Sequence, residues 1–400
     1  MYATSLLSIN SGSSSLKFGL FSGAETKRLQ RVYQGQLTAI GGSGEFQVSD
    51  ADGHVLDKQN LEISSHQQAL QILLDWLSKE TRSLQLFAIG HRIVHGGTRF
   101  TAATHITPDV LEYLQTLVPL APNHQPANLL GIKILQDLQP GVPQVACFDT
   151  AFHQQRPEVE QRFALPSHPK LKAVRRYGFH GLSYQYIAGV LPDYSGAAAD
   201  GKIIVAHLGH GASLCAMHRR RSIATTMTFT PLDGVPMGTR CGSIDPAVVL
   251  YLLHQGVSEK EISDLLYFQS GLLGVSGASD NLAELLTSSS EQAQFAIELF
   301  IHHIVRAIGS LAAALGGVDA IIFTAGIGEH ATSIRKAICQ RCTWLGLQLD
   351  ETANRSGQSC ITEQNSPVQA WVIPTDEERL IAEQTLALIR TDNNKHRMSS

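Results

Sequence analysis

The sequence predicts an α/β protein of two similar halves, each opening with a strand hairpin shaped for phosphate, with a ligand held between the halves. Three observations predict it. Residues 203–217, IIVAHLGHGASLCAM, run from an apolar segment through Leu208-Gly209-His210-Gly211 into a second apolar segment. Residues 6–21, LLSINSGSSSLKFGLF, repeat that plan, with Asn10 at the end of the first run and a Ser-Gly-Ser turn after it. At 400 residues the chain exceeds one typical core, so two domains are expected. A tight turn between strands points successive backbone N–H groups into one concavity, which holds a phosphate without a charged side chain. Gly-x-Gly alone is common in ordinary hairpins; the echo between the halves gives it weight.

Composition excludes other classes. The net charge of −4 offers no basic face, so nucleic acid is not an expected partner. No apolar run approaches the length of a membrane span, so no membrane is expected. Met1-Tyr2-Ala3-Thr4-Ser5 lacks the basic region of a signal peptide. Of six cysteines, Cys147, Cys215 and Cys241 lie in apolar or glycine-rich contexts and read as reduced core residues. Cys339 and Cys342 form C-Q-R-C with no second pair nearby, which reads as a helix end rather than a zinc site. A reducing compartment, most simply the cytoplasm, is expected.

In chain order, residues 30–60 alternate as strands, with turns at Gly41-Gly42 and Asp52-Gly53. Ser65 and Gln68 form a capping box, and the helix after it presents Leu70, Leu73, Leu74 and Leu77 on one face. A strand over 86–89 is expected to end in Gly90-His91-Arg92-Ile93-Val94-His95-Gly96-Gly97, with Arg92 on a cleft wall. Residues 119–128 form a proline-rich loop before a helix. The strand 144–148 ends at Asp149-Thr150. A carboxylate past a strand's carboxyl end is a common place for chemistry in α/β sheets, and a helix cap is an equal reading at this point. A domain boundary falls near residue 150.

Arg175-Arg176-Tyr177-Gly178-Phe179-His180-Gly181 reads as a shaped pocket, because glycines flank an aromatic-histidine pair. Residues 227–246 are long, irregular and carry Arg240, which favours function. Helices near 246–255 and 258–267 follow, then a glycine-rich turn over 271–277. The longest helix, about 291–315, repeats Phe300, Ile304, Ile308, Leu311 and Leu315 as a core stripe. The strand 318–323 runs into Thr324-Ala325-Gly326-Ile327-Gly328-Glu329, a turn able to face a nucleotide with helix-terminal N–H groups. The last strand is 371–374. Thr375 and Glu378 are spaced as a capping box, which leaves Glu377 for another task. The polar tail from Thr391 is expected to be disordered.

Together these residues resemble the acetate kinase family, within the acetate and sugar kinase, heat-shock chaperone and actin superfamily. The motifs are Asn10-Ser11-Gly12-Ser13-Ser14-Ser15-Leu16-Lys17-Phe18, Gly90 to Gly97, Asp149-Thr150-Ala151-Phe152-His153, Arg175 to Gly181, Phe229-Thr230-Pro231, Met237-Gly238-Thr239-Arg240, Ser270 to Gly277 and Thr324 to Glu329. The resemblance covers about 5–390. It implies two ribonuclease-H-like (actin-like ATPase) domains, 1–150 joined by a C-terminal helix over 376–390, and 151–375, with the active site in a cleft between them. It also implies a homodimer and reversible phosphoryl transfer between ATP and acetate, giving ADP and acetyl phosphate, with Mg²⁺ or in its place Mn²⁺.

Carried onto matching positions, the resemblance makes Asn10 and Glu377 metal residues and Asp149, His180 and Arg240 catalytic. Arg92 binds the substrate carboxylate, and Val94, Phe179 and Pro231 shape the pocket for its methyl group. Lys17 and the turn His207, Leu208, Gly209, His210 and Gly211 meet the phosphates. Asp280, Asn281 and Leu282, with Gly326, Ile327, Gly328, Glu329 and His330, complete the nucleotide set. Six places depart from the family pattern: Gln125, Leu182, His210, Ser243, Asn281-Leu282 and His330. Weak discrimination among nucleoside triphosphates is the expectation, because Leu282 lacks a cation and Asn281 a stacking face. Alternatives are a propionate or other short-chain carboxylate kinase and, from a different class, an actin- or chaperone-like nucleotide-regulated binding protein.

Overall fold

The computed structural model describes residues 5–23, 29–81 and 85–398, with side chains described to Thr391. The chain divides into two compact units, Met1–Phe152 with Asp376–Ser400, and His153–Thr375.

The first unit holds an eight-stranded sheet in the order β5-β4-β3-β2-β1-β6-β8-β7. Its strands are β1 (Ser5–Ser11), β2 (Leu16–Ser22), β3 (Gln30–Thr38), β4 (Gly42–Asp50), β5 (Val55–Ile63), β6 (Leu86–Ile93), β7 (Thr104–His105) and β8 (Gln144–Phe148). β1 pairs antiparallel with β2 and parallel with β6. Successive side chains in a strand face opposite ways, and β1 uses both faces. Leu7 and Ile9 enter one core with Leu70, Leu73, Leu74 and Leu77 of the helix His66–Glu80. Leu6 enters another with Ala382 and Leu386 of the helix Glu377–Met398. Each such leucine contributes roughly 1.5–3 kcal/mol by leaving water. The last helix lies tight against β6: a Cβ on Gly90 would stand 2.3 Å from Thr385 Oγ1 and 2.6 Å from Ile381 Cγ2. Glycine there lets the helix carrying Glu377 approach.

The second unit holds a five-stranded sheet, β11-β10-β9-β12-β13, formed by β9 (Lys202–Leu208), β10 (Ala212–His218), β11 (Arg221–Thr225), β12 (Ala320–Thr324) and β13 (Gln369–Val372). β9 pairs antiparallel with β10 and parallel with β12, and β12 parallel with β13. That matches β3-β2-β1-β6-β8 in order and direction, so the echo of two hairpins is a duplicated sheet plan. The helix Glu291–Leu315 packs against β10 and β11 and buries Phe300, Ile304, Ile308 and Leu311.

Several local readings are corrected. β6 continues through Gly90, His91 and Arg92 to Ile93, because parallel pairing with β8 satisfies its backbone. Residues 271–276 are a helix, closed by Gly277 in the left-handed region, rather than a turn. Gly326 to His330 lie inside a short helix, Ala325–His330. Gln68 reaches Ser64, not Ser65, while Ser65 does cap. At the last helix Asp376 accepts the Arg379 N–H at 3.0 Å, so Thr375 and Glu378 do not form the cap; the Thr375 hydroxyl is instead 2.9 Å from Ser183 Oγ. The helix backbone continues past Thr391 to Met398, where a disordered tail was expected; no proline or glycine interrupts 391–398. The final two residues lie outside the described ones. By length and composition only, Glu291–Leu315 is long and apolar enough to cross a membrane, which corrects the expectation that no run reaches that length. In this unit its apolar stripe lies in the core.

Candidate active site

In the first unit, parallel pairing sets three polar side chains at adjacent strand ends. Asn10 follows Ile9, which pairs with His91, and Arg92 pairs with Cys147 two residues before Asp149. Arg92 donates from Nε and Nη2 to Asp149, with Nη2 to Oδ2 at 2.6 Å, and from Nη1 to Asn10 Oδ1 at 3.2 Å. Glu377 Oε2 lies 3.9 Å from Arg92 Nε. Burial works against the Arg92 charge, but the Asp149 and Glu377 carboxylates outweigh it and hold the guanidinium protonated. Burial pushes Glu377 up to about 7; Asp149 and Glu378 push the same way, against Arg92 and Lys17. Asp149 is wholly buried, and as an acceptor to Arg92 it is no helix cap.

This cluster fits a divalent cation. Its donors, the Asn10 amide oxygen and the Glu377 and Asp149 carboxylates, are hard oxygens. Two carboxylates face one arginine, and the raised Glu377 pKa reports the resulting shortage of positive charge.

Val94 follows β6 and is buried, its N–H donated to Asn128 Oδ1 at 2.9 Å. Asn128 also donates to the Ser11 carbonyl at 2.6 Å, so it ties the end of β1 to Val94. Sequence reading missed it, although a polar residue in the apolar stripe of a helix was a signal. Gln125, one of the departures, is fully buried and exchanges hydrogen bonds with the His95 backbone. Lys17 stands across from Asn10 in register, with its side chain exposed.

In the second unit, the phosphate hairpin joins β9 to β10. Gly209 spends its N–H on the Gly211 carbonyl at 3.1 Å, so not every N–H of the turn is available. A Cβ on Gly211 would stand 3.5 Å from His180 Nε2 and 3.7 Å from Arg240 Nη1; both groups flank this turn. His180 caps the helix Gly181–Ser195 with φ 55° and ψ 23°, a left-handed conformation costly for a residue with a Cβ. Gly178 before it has φ 87°, and a Cβ there would lie 2.5 Å from the His153 ring. The His180 ring stacks on His207 with centroids 4.3 Å apart, and its Nδ1 is 2.8 Å from Ser213 Oγ. His207 Nδ1 is 2.8 Å from Ser183 Oγ. Arg240 donates to the Pro231 carbonyl at 2.9 Å.

The nucleotide set divides. His210 Nε2 lies 2.9 Å from Asp280 Oδ2, a surface pair. His330 is exposed at the end of its short helix. Glu329 accepts the Thr375 N–H at 3.2 Å, and the buried Arg335 holds the Gly328 and Glu329 carbonyls. Leu208 and Leu282 turn their side chains into the core, and Asn281 spends its side-chain oxygen capping the helix Leu282–Thr287. Base recognition by the Leu282 side chain is therefore set aside. Phe179 and Pro231 are buried, and the Phe179 carbonyl lies 2.9 Å from His153 Nε2.

Comparison with known proteins gives one answer. A profile described as the Acetokinase family matches residues 5–383. The chain is 51% identical over 383 residues to an acetate kinase of Rhodopseudomonas palustris, covering 94% of this chain and 96% of that one. It is 44% identical to an acetate kinase of Methylocella silvestris, covering 96% and 98%. Among solved structures, a propionate kinase from Francisella tularensis superposes with TM-score 0.88 at 36% identity, covering 96% of this chain and 99% of that one. Porphyromonas gingivalis acetate kinase gives 0.85 at 34%, covering 97% and 100%. This is a kinase with the two-domain actin-like ATPase fold, and the chain belongs to the acetokinase family.

Proposed function

We propose that this chain is an acetate kinase, transferring the terminal phosphoryl group of ATP reversibly to acetate. The observation that carries the reading is the placement of His180 Nε2 and Arg240 Nη1 beside Gly211 of the phosphate hairpin. A loose phosphoryl transition state spreads charge over equatorial oxygens, so catalysis is positioning and electrostatic clamping. An arginine and an imidazole at a backbone phosphate turn suit that need. Acetate, with a carboxyl pKa in the ordinary range near 4, is already ionised at neutral pH and needs no general base. Asp149 then serves by holding Arg92, which binds the acetate carboxylate. Asn10 and Glu377 would hold Mg²⁺, or Mn²⁺ in its place, which supplies charge neutralisation at the phosphates when bound.

Acetate is favoured over propionate by the acetate kinase relatives at 44–51% identity and by branched Val94 in the substrate set. One methylene changes discrimination by only ~1–3 kcal/mol, so propionate is a poorer substrate rather than an excluded one. The test is trapping acyl phosphate as its hydroxamate with ATP and either acid; a higher kcat/KM for propionate would overturn the preference.

The functional unit in this reading is a homodimer. The helix Pro246–His254 has no buried residue, and Val248, Leu250, Tyr251 and Leu253 are 39%, 58%, 62% and 45% exposed. An apolar helix left bare in one chain suits a second copy. The six free cysteines suit a reducing compartment, the cytoplasm.

A further inference from the structure

Behind His180 runs a short chain of hydroxyl groups. Tyr184 lies one turn along the helix Gly181–Ser195, and its hydroxyl is 2.5 Å from Ser213 Oγ. Ser213 Oγ is in turn 2.8 Å from His180 Nδ1. Ser213 and Tyr184 are both fully buried. We propose that Ser213 and Tyr184 are positioning residues that fix the tautomer of His180: Tyr184 donates to Ser213, Ser213 donates to Nδ1, and the ring proton stays on Nε2, the nitrogen beside Gly211.

The direction follows from the chemistry of the groups. A serine hydroxyl has one proton and two acceptor lone pairs. A phenol is the stronger acid of the two hydroxyls and so the better donor, and its proton on Ser213 Oγ leaves the serine proton for Nδ1. A neutral imidazole whose Nδ1 accepts carries its N–H on Nε2. The rest of the ring's freedom is already spent. His180 takes a left-handed backbone, and the Phe179 carbonyl is tied to His153 Nε2 at 2.9 Å. The ring lies on His207 at 26° between planes, and His207 is held by Ser183, itself 2.9 Å from Thr375 Oγ1.

The arrangement gives the phosphate turn a neutral donor next to a permanent cation. Arg240 supplies charge on the other side of Gly211, and a second full charge there would repel it. With the proton fixed on Nε2, His180 donates to a phosphoryl oxygen without first being protonated. This rests on the reading of His180 as a group that stabilises transferring phosphate, and the test separates the two.

The experiment uses the full chain labelled with ¹⁵N-histidine. Two-bond ¹H–¹⁵N spectra distinguish the tautomers, and His180→Gln assigns the ring by loss of its signals. The wild type is expected to show the Nε2–H pattern at neutral pH. Tyr184→Phe, which keeps the ring and leaves no cavity, and Ser213→Ala are both expected to shift it toward Nδ1–H. In both, kcat for acetyl phosphate formation is expected to fall roughly tenfold, the worth of about one hydrogen bond, with substrate KM values within about twofold. Wild-type nitrogen shifts in either folded variant would overturn the proposal. Full kcat in His180→Gln would instead overturn the catalytic reading of His180 and leave the tautomer assignment to stand on its spectra.

Discussion

Arg92 and Asp149 meet through three hydrogen bonds, at 2.6, 3.1 and 3.2 Å, and the aspartate is shut away from solvent. Arg92 is therefore both a candidate ligand for substrate and the counter-charge of a buried carboxylate. Removing one partner of such a pair costs about 3–5 kcal/mol. Arg92→Ala is expected to raise KM for acetate and also to lower Tm by roughly 6–20 °C. Arg92→Lys keeps the charge without the forked geometry and is expected to recover most of the Tm but little of the KM. Thermal unfolding and steady-state kinetics on the two variants check this.

Glu377 makes the pH dependence of the first unit predictable. Burial, with the neighbouring carboxylates, holds its pKa near 7 against an ordinary value of 4.5. Between those values the folded state binds more protons than the unfolded one, so stability of the metal-free protein falls as pH rises through this window. Glu377→Gln is expected to flatten the fall. A divalent cation needs the ionised carboxylate, so Mg²⁺ affinity is expected to weaken as pH drops below about 7, and calorimetric titration at pH 6 and 8 reads the difference.

Leu282 is 4% exposed, so Leu282→Arg places a charge in the core. It is expected to destabilise the second unit by several kcal/mol, a size typical of an unpaired buried charge, rather than to sharpen nucleotide choice. The exposed His330 is the better lever on the base: His330→Ala is expected to raise KM for ATP with Tm unchanged. The ratio of kcat/KM for ATP and GTP, measured beside Tm in both variants, separates the two effects.

The bare helix Pro246–His254 makes the oligomeric state testable. Leu250 and Tyr251 are among its most exposed side chains. A Leu250→Asp, Tyr251→Asp double variant is expected to elute as a folded monomer, and light scattering on the wild type is expected to give twice the chain mass of 43.4 kDa.

The parts legible in the sequence were those written locally. A hairpin between adjacent strands needs only its two apolar runs and its turn, so both hairpins and the duplicated plan could be read directly. Arg92 and His180 stood out because glycines flank them. What escaped reading acts across long stretches of chain. Asn128 matters through Ser11 and Val94, and Ser213 through His180 and Tyr184; no local pattern announces those partners. Leu282 misled because it follows Asp280 by two residues, yet a helix start between them turns it inward. Residues 271–277 misled because glycine content suggests a turn, whereas the closing left-handed Gly277 is a helix end.

The central claim is that His180 and Arg240 stabilise phosphoryl transfer to a carboxylate at the Gly211 turn. Hydroxamate trapping with ATP, Mg²⁺ and acetate, run on wild type and on Arg240→Ala, tests it most directly. The account predicts acetate-dependent acyl phosphate from the wild type and a loss of kcat of roughly 10²–10³-fold in the variant, with KM for acetate little changed. ATP hydrolysis independent of acetate with no hydroxamate formed, or wild-type kcat in folded Arg240→Ala, would contradict it.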